Sequence, residues 1–434
     1  MGSPRERPPL PVGPYVVVGL ARSGQAAATL LAGRGEAVVG VDSGKPDGIE
    51  RLREAGVEVH LDGDPDESLE GAGCVVKSPG VPREAAPVRR ALTLGIPVIG
   101  ELELAWRLIP NRFVAVTGTN GKTTVTELLG HVWRTADEPV VVAGNVGTPL
   151  ASLVGEIDQA ATVVCEASSF QLEDASAFAP ECAMLLNATP DHLDRHGSFE
   201  SYLASKLRVF ARQSEGDTAI VNRSDPQVAA LDLPGEATEV DVSAASIGFE
   251  PEGAWMTGPH NALNARFAAA AALVMDIKPS RIASGIKSFP GIPHRLERVA
   301  EIGGVAYVND SKATNAAAAV AALESFEGGV HALMGGSLKG ADFASLAEPV
   351  AERCAAVYLT GPAADPISSA LAPTGVAIHR CADLPAALAQ AAAAATPGET
   401  VLLAPASASF DAYSDYEARG DHFRDLVRSI EAAS

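Results

Sequence analysis

The fold of this chain is decided by the stretch Val114-Ala-Val-Thr-Gly-Thr-Asn-Gly-Lys-Thr-Thr-Val125, which joins an apolar β-branched run to a glycine-rich turn and a helical pattern. A strand that ends at Val116 would lead into the turn 118–121, where glycine tolerates positive φ and lets backbone N–H groups face an anion. Lys122 adds a positive charge, and the threonines after it open a helix whose N-terminus favours phosphate. The stretch therefore predicts a phosphate-binding loop, shorter than the standard Walker pattern. A purely structural turn is the alternative.

Length, composition and charge limit what the chain can be. Its 434 residues are too many for one core, so several domains are expected. Hydrophobic residues make up 47% and charged residues 20%, and no uninterrupted apolar run is long enough to span a bilayer. A net charge of -21 would repel nucleic acid and anionic membrane surfaces. We therefore expect no nucleic-acid or membrane partner, and an anionic substrate would need local cations.

Cysteine usage and the N-terminus indicate the compartment. The five cysteines lie far apart and form no C-x-x-C pair, so neither a zinc site nor a disulfide framework is indicated. Residues 1–13 are rich in Pro and Arg and lack the apolar core of a signal peptide. We expect a cytoplasmic protein whose first residues form a frayed tail.

The first predicted domain, residues 1–110, opens like a Rossmann unit. A strand-like run from Tyr15 leads into Gly19-Leu-Ala-Arg-Ser-Gly24 and a helical pattern, and the next strand ends at Asp42. Ala21 replaces the middle glycine of G-x-G-x-x-G, which weakens the close approach of a pyrophosphate. Asp42 lies where a nucleotide hydroxyl is often bound. A small parallel α/β domain is predicted, with a dinucleotide site as an open alternative.

The second predicted domain, residues 111–292, places polar side chains after its strands. Glu166 ends an apolar strand and suits Mg²⁺, although a salt-bridged surface carboxylate is the alternative. The segment 191–196 contains two His and two Asp after another strand, so it could bind metal or phosphate, or form a solvated turn. Lys206 lies on a helix predicted over Phe199–Phe210, where a surface lysine is the simpler interpretation. Asn264, near the start of an Ala-rich helix, could bind a base or ribose, or cap a turn.

The third predicted domain, residues 293–434, repeats the alternation of strand and helix. Strand-like runs end near Asn309, Met334, Thr360 and Ala404, and turns rich in Gly, Ser or Pro follow the last three. This alternation predicts a second Rossmann-like domain with its polar residues at the strand ends.

Several segments together resemble the Mur ligase family. They are Val114–Val125, Glu166–Leu172, Leu186–His196, Ala204–Lys206, His294–Glu297, Asn309–Asn315 and Phe410–Gly420. The match extends from about Tyr15 to Phe423. The resemblance implies an α/β protein of three domains: a Rossmann-like N-terminal domain for a UDP substrate, a P-loop-type central ATPase domain with a mainly parallel sheet, and a Rossmann-like C-terminal domain for an amino acid.

The resemblance also implies a reaction. Within the family, Asp310-Ser-Lys-Ala-Thr-Asn315 is similar to the branch that adds D-glutamate to UDP-N-acetylmuramoyl-L-alanine, at the cytoplasmic stage of peptidoglycan precursor synthesis. ATP would convert the muramoyl-alanine carboxylate into an acyl phosphate, which the incoming amine attacks. ATP and two Mg²⁺ ions are the expected cofactors, and a monomer is expected.

Site residues follow from the same resemblance. Phosphates would be held by Gly118, Thr119, Asn120, Gly121, Lys122, Thr123 and Thr124, and adenine and ribose by Asn264, Arg295 and Asp310. Thr123 and Glu166 would ligate one Mg²⁺, and His192 with a carbamylated Lys206 the second. The expected catalytic residues are Lys122, Glu166, His192 and Lys206.

Substrate-binding residues are expected in all three domains. The UDP substrate would contact Arg22, Ser23, Asp42, Ser43, Ser78, Pro79 and Gly80 in the first domain, and Asn145 and Ser168 near the reacting carboxylate. D-Glutamate brings two carboxylates that need cations or hydroxyl donors when they leave water. Lys312, Thr314, Lys339 and Ser409 would supply such groups. Ser409, Phe410 and Tyr416 resemble the segment that the family closes over the side-chain carboxylate.

Three alternatives remain open. A nicotinamide-dependent dehydrogenase would use Gly19–Gly24 and leave Lys122 without a role. A nucleotide-gated binding protein would bind ATP and form no amide, and it would need no amino-acid pocket. Another amino-acid ligase of the same superfamily is the nearest alternative, although Lys312 with Lys339 favours a dicarboxylic acceptor.

Overall fold

The computed structural model describes residues 5–61, 68–253, 255–256, 258–338 and 342–433, so the predicted acceptor residue Lys339 lies outside the described residues. The chain divides into two compact units. The first contains Met1–Pro251 and Leu263–Lys287, and the second contains Glu252–Ala262 and Ser288–Ser434. Within the described ranges, every helix is too short or too polar to cross a bilayer.

The first unit begins with a parallel sheet of five strands in the order β3-β2-β1-β4-β5. The strands are β1 (Tyr15–Val18), β2 (Val38–Asp42), β3 (Glu58–Leu61), β4 (Cys74–Lys77) and β5 (Val98–Gly100), and the helices are α1 (Arg22–Gly33), α2 (Ile49–Glu54), α3 (Ala86–Thr93) and α4 (Glu101–Leu108). Ala27 and Leu31 of α1 are fully buried, because a parallel sheet is covered by helices. The Rossmann-like N-terminal domain predicted from the sequence is confirmed.

A second sheet of the first unit has six parallel strands in the order β11-β10-β9-β6-β8-β7. The strands are β6 (Phe113–Thr117), β7 (Val140–Gly144), β8 (Thr162–Glu166), β9 (Cys182–Leu185), β10 (Thr218–Val221) and β11 (Thr238–Asp241). The strands that follow β6 in the chain are placed on both of its sides, β8 and β7 on one and β9, β10 and β11 on the other. Open α/β sheets bind ligands at such a switch point, beyond the carboxyl ends of the strands. Val116 pairs with Glu166, and Thr117 pairs with Leu185, so the ends of β6, β8 and β9 meet at one edge.

Helices of this central part follow the strand ends. They are α5 (Lys122–Thr135), α6 (Ser169–Glu173), α7 (Leu193–His196), α8 (Phe199–Leu207), α9 (Gly258–Val274) and α10 (Pro279–Ser288), with a 3₁₀ helix at Leu150–Leu153. The sequence placed the end of the helix from Phe199 at Phe210, three residues too late. The N–H groups of Val209 and Phe210 bond to carbonyls three residues back, so the chain tightens into turns beyond Leu207.

The second unit has a six-stranded sheet in the order β12-β13-β17-β14-β15-β16. The strands are β12 (Glu297–Ile302), β13 (Val305–Asn309), β14 (Val330–Gly335), β15 (Cys354–Thr360), β16 (Ala377–Arg380) and β17 (Thr400–Leu403). The helices are α11 (Ala316–Leu323), α12 (Ala347–Arg353), α13 (Ala364–Leu371), α14 (Leu384–Ala394) and α15 (Tyr416–Ala433), with 3₁₀ helices at Ala344–Leu346 and Ala372–Thr374. β12 pairs antiparallel with β13, and the remaining pairs are parallel. The predicted Rossmann-like C-terminal domain is confirmed.

The N-terminal arm, residues 5–13, is not the frayed tail that the sequence predicted. The guanidinium of Arg7 lies 4.4 Å from the ring centre of Trp106 and 3.2 Å from the Glu181 carboxylate. Arg5 pairs with Asp217 and donates to the carbonyl of Ala179, which is 174 positions along the chain. The prediction was wrong because these partners belong to distant segments that the arm's own composition does not reveal.

We predict that Arg7→Ala lowers the free energy of unfolding by about 2 kcal/mol, because a buried cation–π contact and an ion pair are lost together. The measurement is urea denaturation followed by tryptophan fluorescence. Arg428→Ala is the matched control, because Arg428 is 65% exposed and lies 3.8 Å from an exposed Asp425, so no measurable change is expected. Equal denaturation midpoints for the Arg7 variant and the parent would contradict the prediction.

Candidate active site

The glycine-rich turn after β6 depends on the absence of side chains at two positions. Gly118 and Gly121 have φ values of +153° and +83°, a region that L side chains rarely occupy. A Cβ atom on Gly121 would lie 2.6 Å from the Asn264 Oδ1, and one on Gly118 would lie 3.0 Å from the Leu186 Cβ. The structure therefore brings the predicted nucleotide residue Asn264 against the loop, and a side chain at either glycine would be strained by the positive φ.

Asn187, which follows β9, fixes this loop. Its Oδ1 accepts hydrogen bonds from the backbone N–H groups of Thr119 (3.1 Å) and Asn120 (2.9 Å), and its Nδ2 donates to the carbonyl of Asn120 at 3.1 Å. The Thr119 hydroxyl lies 3.0 Å from the Tyr202 hydroxyl. The N–H groups of Thr119 and Asn120 are therefore used by Asn187 and do not face an anion. The favoured position for an anion is the N-terminus of α5, which begins at Lys122. Asn187 lies within a segment that carries the family resemblance, yet the sequence did not indicate this role for it.

Two lysines meet at one carbonyl of the loop. The Lys122 Nζ donates to the carbonyls of Gly118 (3.0 Å) and Thr119 (2.8 Å), and the Lys206 Nζ donates to the same Gly118 oxygen at 2.7 Å. Lys206 is 2% exposed, so its interpretation as a surface lysine was wrong. Burial, together with the nearby Lys122 charge, lowers the pKa of Lys206 to about 7, against smaller opposing effects of Asp191 and Glu166.

Glu166 ends β8 and is buried beside the loop strand. Its Oε1 accepts a hydrogen bond from the Asn145 Nδ2 at 3.0 Å, so the structure brings a predicted metal ligand next to a predicted substrate residue. Its Oε2 finds no hydrogen-bond partner among the described residues. A buried carboxylate oxygen without a donor is costly unless a cation or another donor completes it. The position therefore fits a divalent cation.

The segment after β9 is held against α6 by aromatic contacts. The ring centre of Phe170 lies 5.0 Å from that of His192 and 5.2 Å from that of His196, and the Arg195 guanidinium is 4.4 Å from it. His192 has a left-handed φ of 52° and a half-exposed side chain. Within the part of the chain that the structure describes, no three His, Cys, Asp or Glu side chains gather as metal ligands. A Mg²⁺ ion there would need phosphate oxygens and water to complete its shell.

Ser168 begins α6 and has a local structural role. Its hydroxyl donates to the Gln171 Oε1 at 2.9 Å and accepts from the Gln171 backbone N–H at 3.3 Å, which forms a capping box. The cap fixes the direction of α6, and hence the position of Phe170.

A cavity of about 300 Å³ lies at the carboxyl ends of β1 and β2. Its lining includes Gly19 and the predicted substrate residues Asp42 and Ser43. The Asp42 carboxylate is already bonded to the N–H groups of Leu20 (2.6 Å) and Gly44 (2.7 Å). The other residues assigned to the UDP substrate in this domain, Arg22, Ser23, Ser78, Pro79 and Gly80, are not among the described lining residues.

In the second unit, Arg295, Asp310 and Lys312 lie in two segments joined by hydrogen bonds. The Asp310 Oδ1 accepts from the Leu296 N–H at 3.3 Å, and the Lys312 N–H donates to the carbonyl of His294 at 3.1 Å. Burial raises the pKa of Asp310 to about 6, while the nearby Arg295 charge opposes the shift. The structure therefore brings predicted nucleotide residues next to a predicted acceptor residue.

Of the other residues predicted to bind the amino acid, Thr314 and Tyr416 lie next to Lys312. The Lys312 Nζ lies 5.6 Å from the ring centre of Tyr416, and the Thr314 N–H donates to the carbonyl of Lys312 at 2.8 Å. Ser409 is buried, whereas the adjacent Phe410 is 62% exposed.

Arg419 was not among the predicted site residues, although it lies in a motif that carries the family resemblance. Arg419 is buried and donates from Nε to the Ser311 hydroxyl (2.9 Å), from Nη2 to the Ser311 carbonyl (2.9 Å) and from Nη1 to the Ser407 carbonyl (3.2 Å). Burial lowers the pKa of Arg419 to about 10. This side chain fixes the backbone on which Lys312 is carried.

We predict that Lys206 makes stability rise with pH. Its folded pKa of about 7 lies below the ordinary value of 10.5, so between these values the unfolded chain binds the extra proton and raising the pH favours the folded state. From pH 7 to 9 the wild type should gain about 2 kcal/mol more than Lys206→Met. Denaturant unfolding in carbonate-free buffer at several pH values measures this difference. The exposed-lysine control Lys278→Met should keep the wild-type slope, and the same slope in Lys206→Met would contradict the prediction.

Comparison with known proteins identifies three matching domain families along the chain. Residues 14–100 match the family described as Mur ligase MurD-like, N-terminal domain. Residues 116–257 match the Mur ligase middle domain, and residues 294–407 match the Mur ligase, glutamate ligase domain.

Similar whole proteins are known in sequence and in structure. The chain is 41% identical over 450 residues to the UDP-N-acetylmuramoylalanine–D-glutamate ligase of Pelotomaculum thermopropionicum, covering 96% of this chain and 97% of the relative. It is 41% identical over 448 residues to that of Salinibacter ruber, covering 95% and 97%. Its fold is similar to that of the MurF ligase of Thermotoga maritima in complex with ADP, with a TM-score of 0.59, 17% identity, and coverage of 92% of this chain and 96% of that one.

Proposed function

This chain belongs to the Mur ligase family, and from that membership we infer an ATP-dependent ligase that adds D-glutamate to UDP-N-acetylmuramoyl-L-alanine in peptidoglycan precursor synthesis. One observation supports the assignment of the reacting centre. Among the described residues, the buried Glu166 carboxylate has a hydrogen-bond donor at only one of its two oxygens, and it lies at the sheet edge where β6 leads into the loop with Lys122. A cation at Glu166 and the Lys122 ammonium would face the phosphates of one nucleotide. A hydride-transfer site requires no such combination, and a nucleotide sensor would need no amino-acid pocket.

The reaction must make a poor electrophile reactive. One oxygen of the alanyl carboxylate attacks the γ-phosphorus of ATP, the bond from that phosphorus to the β,γ-bridging oxygen breaks, and ADP leaves. The amine of D-glutamate then attacks the acyl carbon, an N–C bond forms, phosphate leaves with the former carboxylate oxygen, and the amine releases a proton. Lys122 and the N-terminus of α5 stabilise the negative charge that develops on the transferring phosphoryl group.

We assign the cation at this site to Mg²⁺, with Glu166 and the Thr123 hydroxyl as ligands and His192 toward a second ion. The first Mg²⁺ ion is supported by the Glu166 Oε2, which has no hydrogen-bond donor among the described residues. The second is supported by the His192 side chain, which is half-exposed and so accessible to an ion. When bound, Mg²⁺ neutralises phosphate charge during transfer. Asn145, which donates to Glu166, holds the carboxylate in a fixed orientation.

Lys206 is assigned to a carbamate. Its lowered pKa keeps much of the side chain as a neutral amine near pH 7, and only a neutral amine adds to CO₂. The neutral amine forms an N–C bond to CO₂ and releases one proton, and the ammonium form loses a further proton first, so the side chain ends as a carboxylate-like anion. This exchange removes the repulsion from Lys122 and supplies an anionic ligand beside the second metal position.

Residues of the second unit are assigned to the nucleotide base and the amino acid. Arg295 and Asp310 would contact adenine and ribose together with Asn264. Lys312, Thr314, Lys339, Ser409, Phe410 and Tyr416 would surround D-glutamate. The Arg419 contacts to Ser311 support this assignment, because they fix the segment that carries Lys312 and Thr314.

We assign residues 1–110 to the UDP substrate, 111–292 to ATP and 293–434 to the amino acid, in a monomer that acts in the cytoplasm. The five cysteines support a reducing compartment, because the structure leaves all of them as free thiols and three are buried.

A phosphate-release assay with UDP-N-acetylmuramoyl-L-alanine, Mg²⁺-ATP and a panel of L- and D-amino acids tests the function. We expect phosphate release that depends on D-glutamate and is reduced at least about a thousandfold in Lys122→Ala, because the developing phosphoryl charge loses its nearest cation. The exposed-lysine variant Lys278→Met should retain the parent rate. The assignment is overturned if the parent protein consumes no ATP with both substrates present, or if Lys122→Ala turns over normally.

The carbamate assignment has its own test. Lys206→Ala should lose at least about a hundredfold in kcat and recover part of it when a short-chain carboxylate is added, since the free carboxylate can occupy the vacated ligand position. Lys122→Ala should show no such recovery. In the parent protein, incubation with ¹³C-labelled CO₂ should give a carbamate carbon signal that Lys206→Ala lacks. An identical spectrum for both proteins would refute the assignment.

A further inference from the structure

A tight turn at the end of β4 borders the first-domain cavity. The Ser78 N–H donates to the carbonyl of Val18 at 2.9 Å, and the Val81 N–H closes the turn on the carbonyl of Ser78 at 3.0 Å. The Ser78 hydroxyl donates to the carbonyl of Gly19 at 2.7 Å. Val81 itself lines the cavity. The turn, residues 78–81, therefore joins the cavity to the segment assigned above to the UDP substrate.

A buried ion pair stands directly behind this turn. Lys77, the last residue of β4, has a side chain that is 0% exposed, and its Nζ lies 2.7 Å from the Oδ2 of Asp174, which is 2% exposed. The same Nζ donates to the carbonyl of Val81 at 2.9 Å. Asp174 also accepts the Gly100 N–H at its backbone carbonyl, at 3.2 Å. Lys77 thus connects the turn to Asp174, the residue that follows α6.

The other side of the turn is held from the segment that contains His192. Arg195 reaches the carbonyls of Gly80 (3.5 Å) and Val81 (3.4 Å) while its guanidinium lies over Phe170 of α6. The Val81 carbonyl therefore faces two cationic side chains. Both cations are held by α6 or the residue after it, through Asp174 and Phe170.

We propose that the Lys77–Asp174 ion pair, together with Arg195, positions the 78–81 turn relative to α6, so that a UDP-linked substrate held in the first domain presents its carboxylate toward Glu166 and the phosphate loop. The inference rests on the proposed function. Lys77, Asp174 and Arg195 are positioning residues, because they act on the turn and do not themselves contact the substrate.

Stability alone does not account for the pair. Removing a lysine and a carboxylate from water is costly, and an apolar pair of similar size usually stabilises a buried position equally well or better. Because Lys77 pairs with Asp174 and also donates to the Val81 carbonyl, it fixes the orientation of the 78–81 turn, which an apolar contact would not do. The geometry therefore points to a role in orientation.

The test is the double variant Lys77→Met with Asp174→Leu, which replaces the pair by apolar side chains and leaves no unpaired buried charge. We expect a melting temperature close to that of the wild type and a KM for UDP-N-acetylmuramoyl-L-alanine raised about tenfold, because the charged hydrogen bond from Lys77 to the Val81 carbonyl is lost. The KM values for ATP and D-glutamate should stay within about twofold of the wild type. Arg195→Met, which removes no fully buried charge, should raise the same KM and provides a second variant should the double variant fail to fold.

Arg5→Met is the matched control. This variant also breaks an ion pair with a buried carboxylate, that of Asp217, which is 2% exposed. The hydrogen bonds of Arg5 go to Ala179, Ser214 and Asp217 and not to the 78–81 turn. The KM for the UDP substrate should therefore stay unchanged. Calorimetric titration with the UDP substrate separates the two proposals. Equal Kd and KM values for the wild type, the folded double variant and Arg195→Met would overturn the positioning role. A wild type that binds the UDP substrate but releases no phosphate would overturn the proposed function instead.

Discussion

Two ammonium groups at one backbone carbonyl form the constraint on which the central site depends. Lys122 and Lys206 both donate to the Gly118 oxygen, and Lys206 does so from a buried position. Like charges repel strongly where water is excluded, and this repulsion adds to the effect of burial in lowering the pKa of Lys206. An anion at the loop, or loss of the Lys206 proton, relieves that repulsion. In a chain with a net charge of -21, the Lys122 ammonium and the N-terminus of α5 give phosphate a favoured position.

The parallel sheet determines which other groups share that position. Because β6 pairs with β8 and β9 in register, the loop, Glu166 and Asn187 all emerge at one edge. The loop presents the helix N-terminus, Glu166 supplies a carboxylate, and Asn187 holds the loop through its amide. Phe170 then fixes the segment with His192 by ring contacts. The site is thus assembled from strand ends and needs no long insertion.

The sequence predicted the three α/β domains because their signals are local: apolar strands followed by glycine-rich turns and helical patterns. It predicted the loop and Glu166 for the same reason. It did not reveal that Lys206 is buried or that Arg7 stacks on Trp106, because both facts depend on contacts between distant segments. Asn187 and Arg419 lie within recognisable motifs, yet their hydrogen bonds to Thr119 and Ser311 became visible only in three dimensions. Lys339 lies outside the described residues.

The N-terminal arm has a consequence for the order in which this protein forms on the ribosome. The first sheet can form once Gly100 has left the exit tunnel, since its last strand ends there. Arg5 and Arg7 must wait longer, because Ala179, Glu181 and Asp217 have not yet left the exit tunnel. Domains generally fold as units during synthesis, the N-terminal one first. The arm is therefore synthesised well before its partners and can dock only after Ala179, Glu181 and Asp217 have emerged, so its contacts join segments that become available at different times.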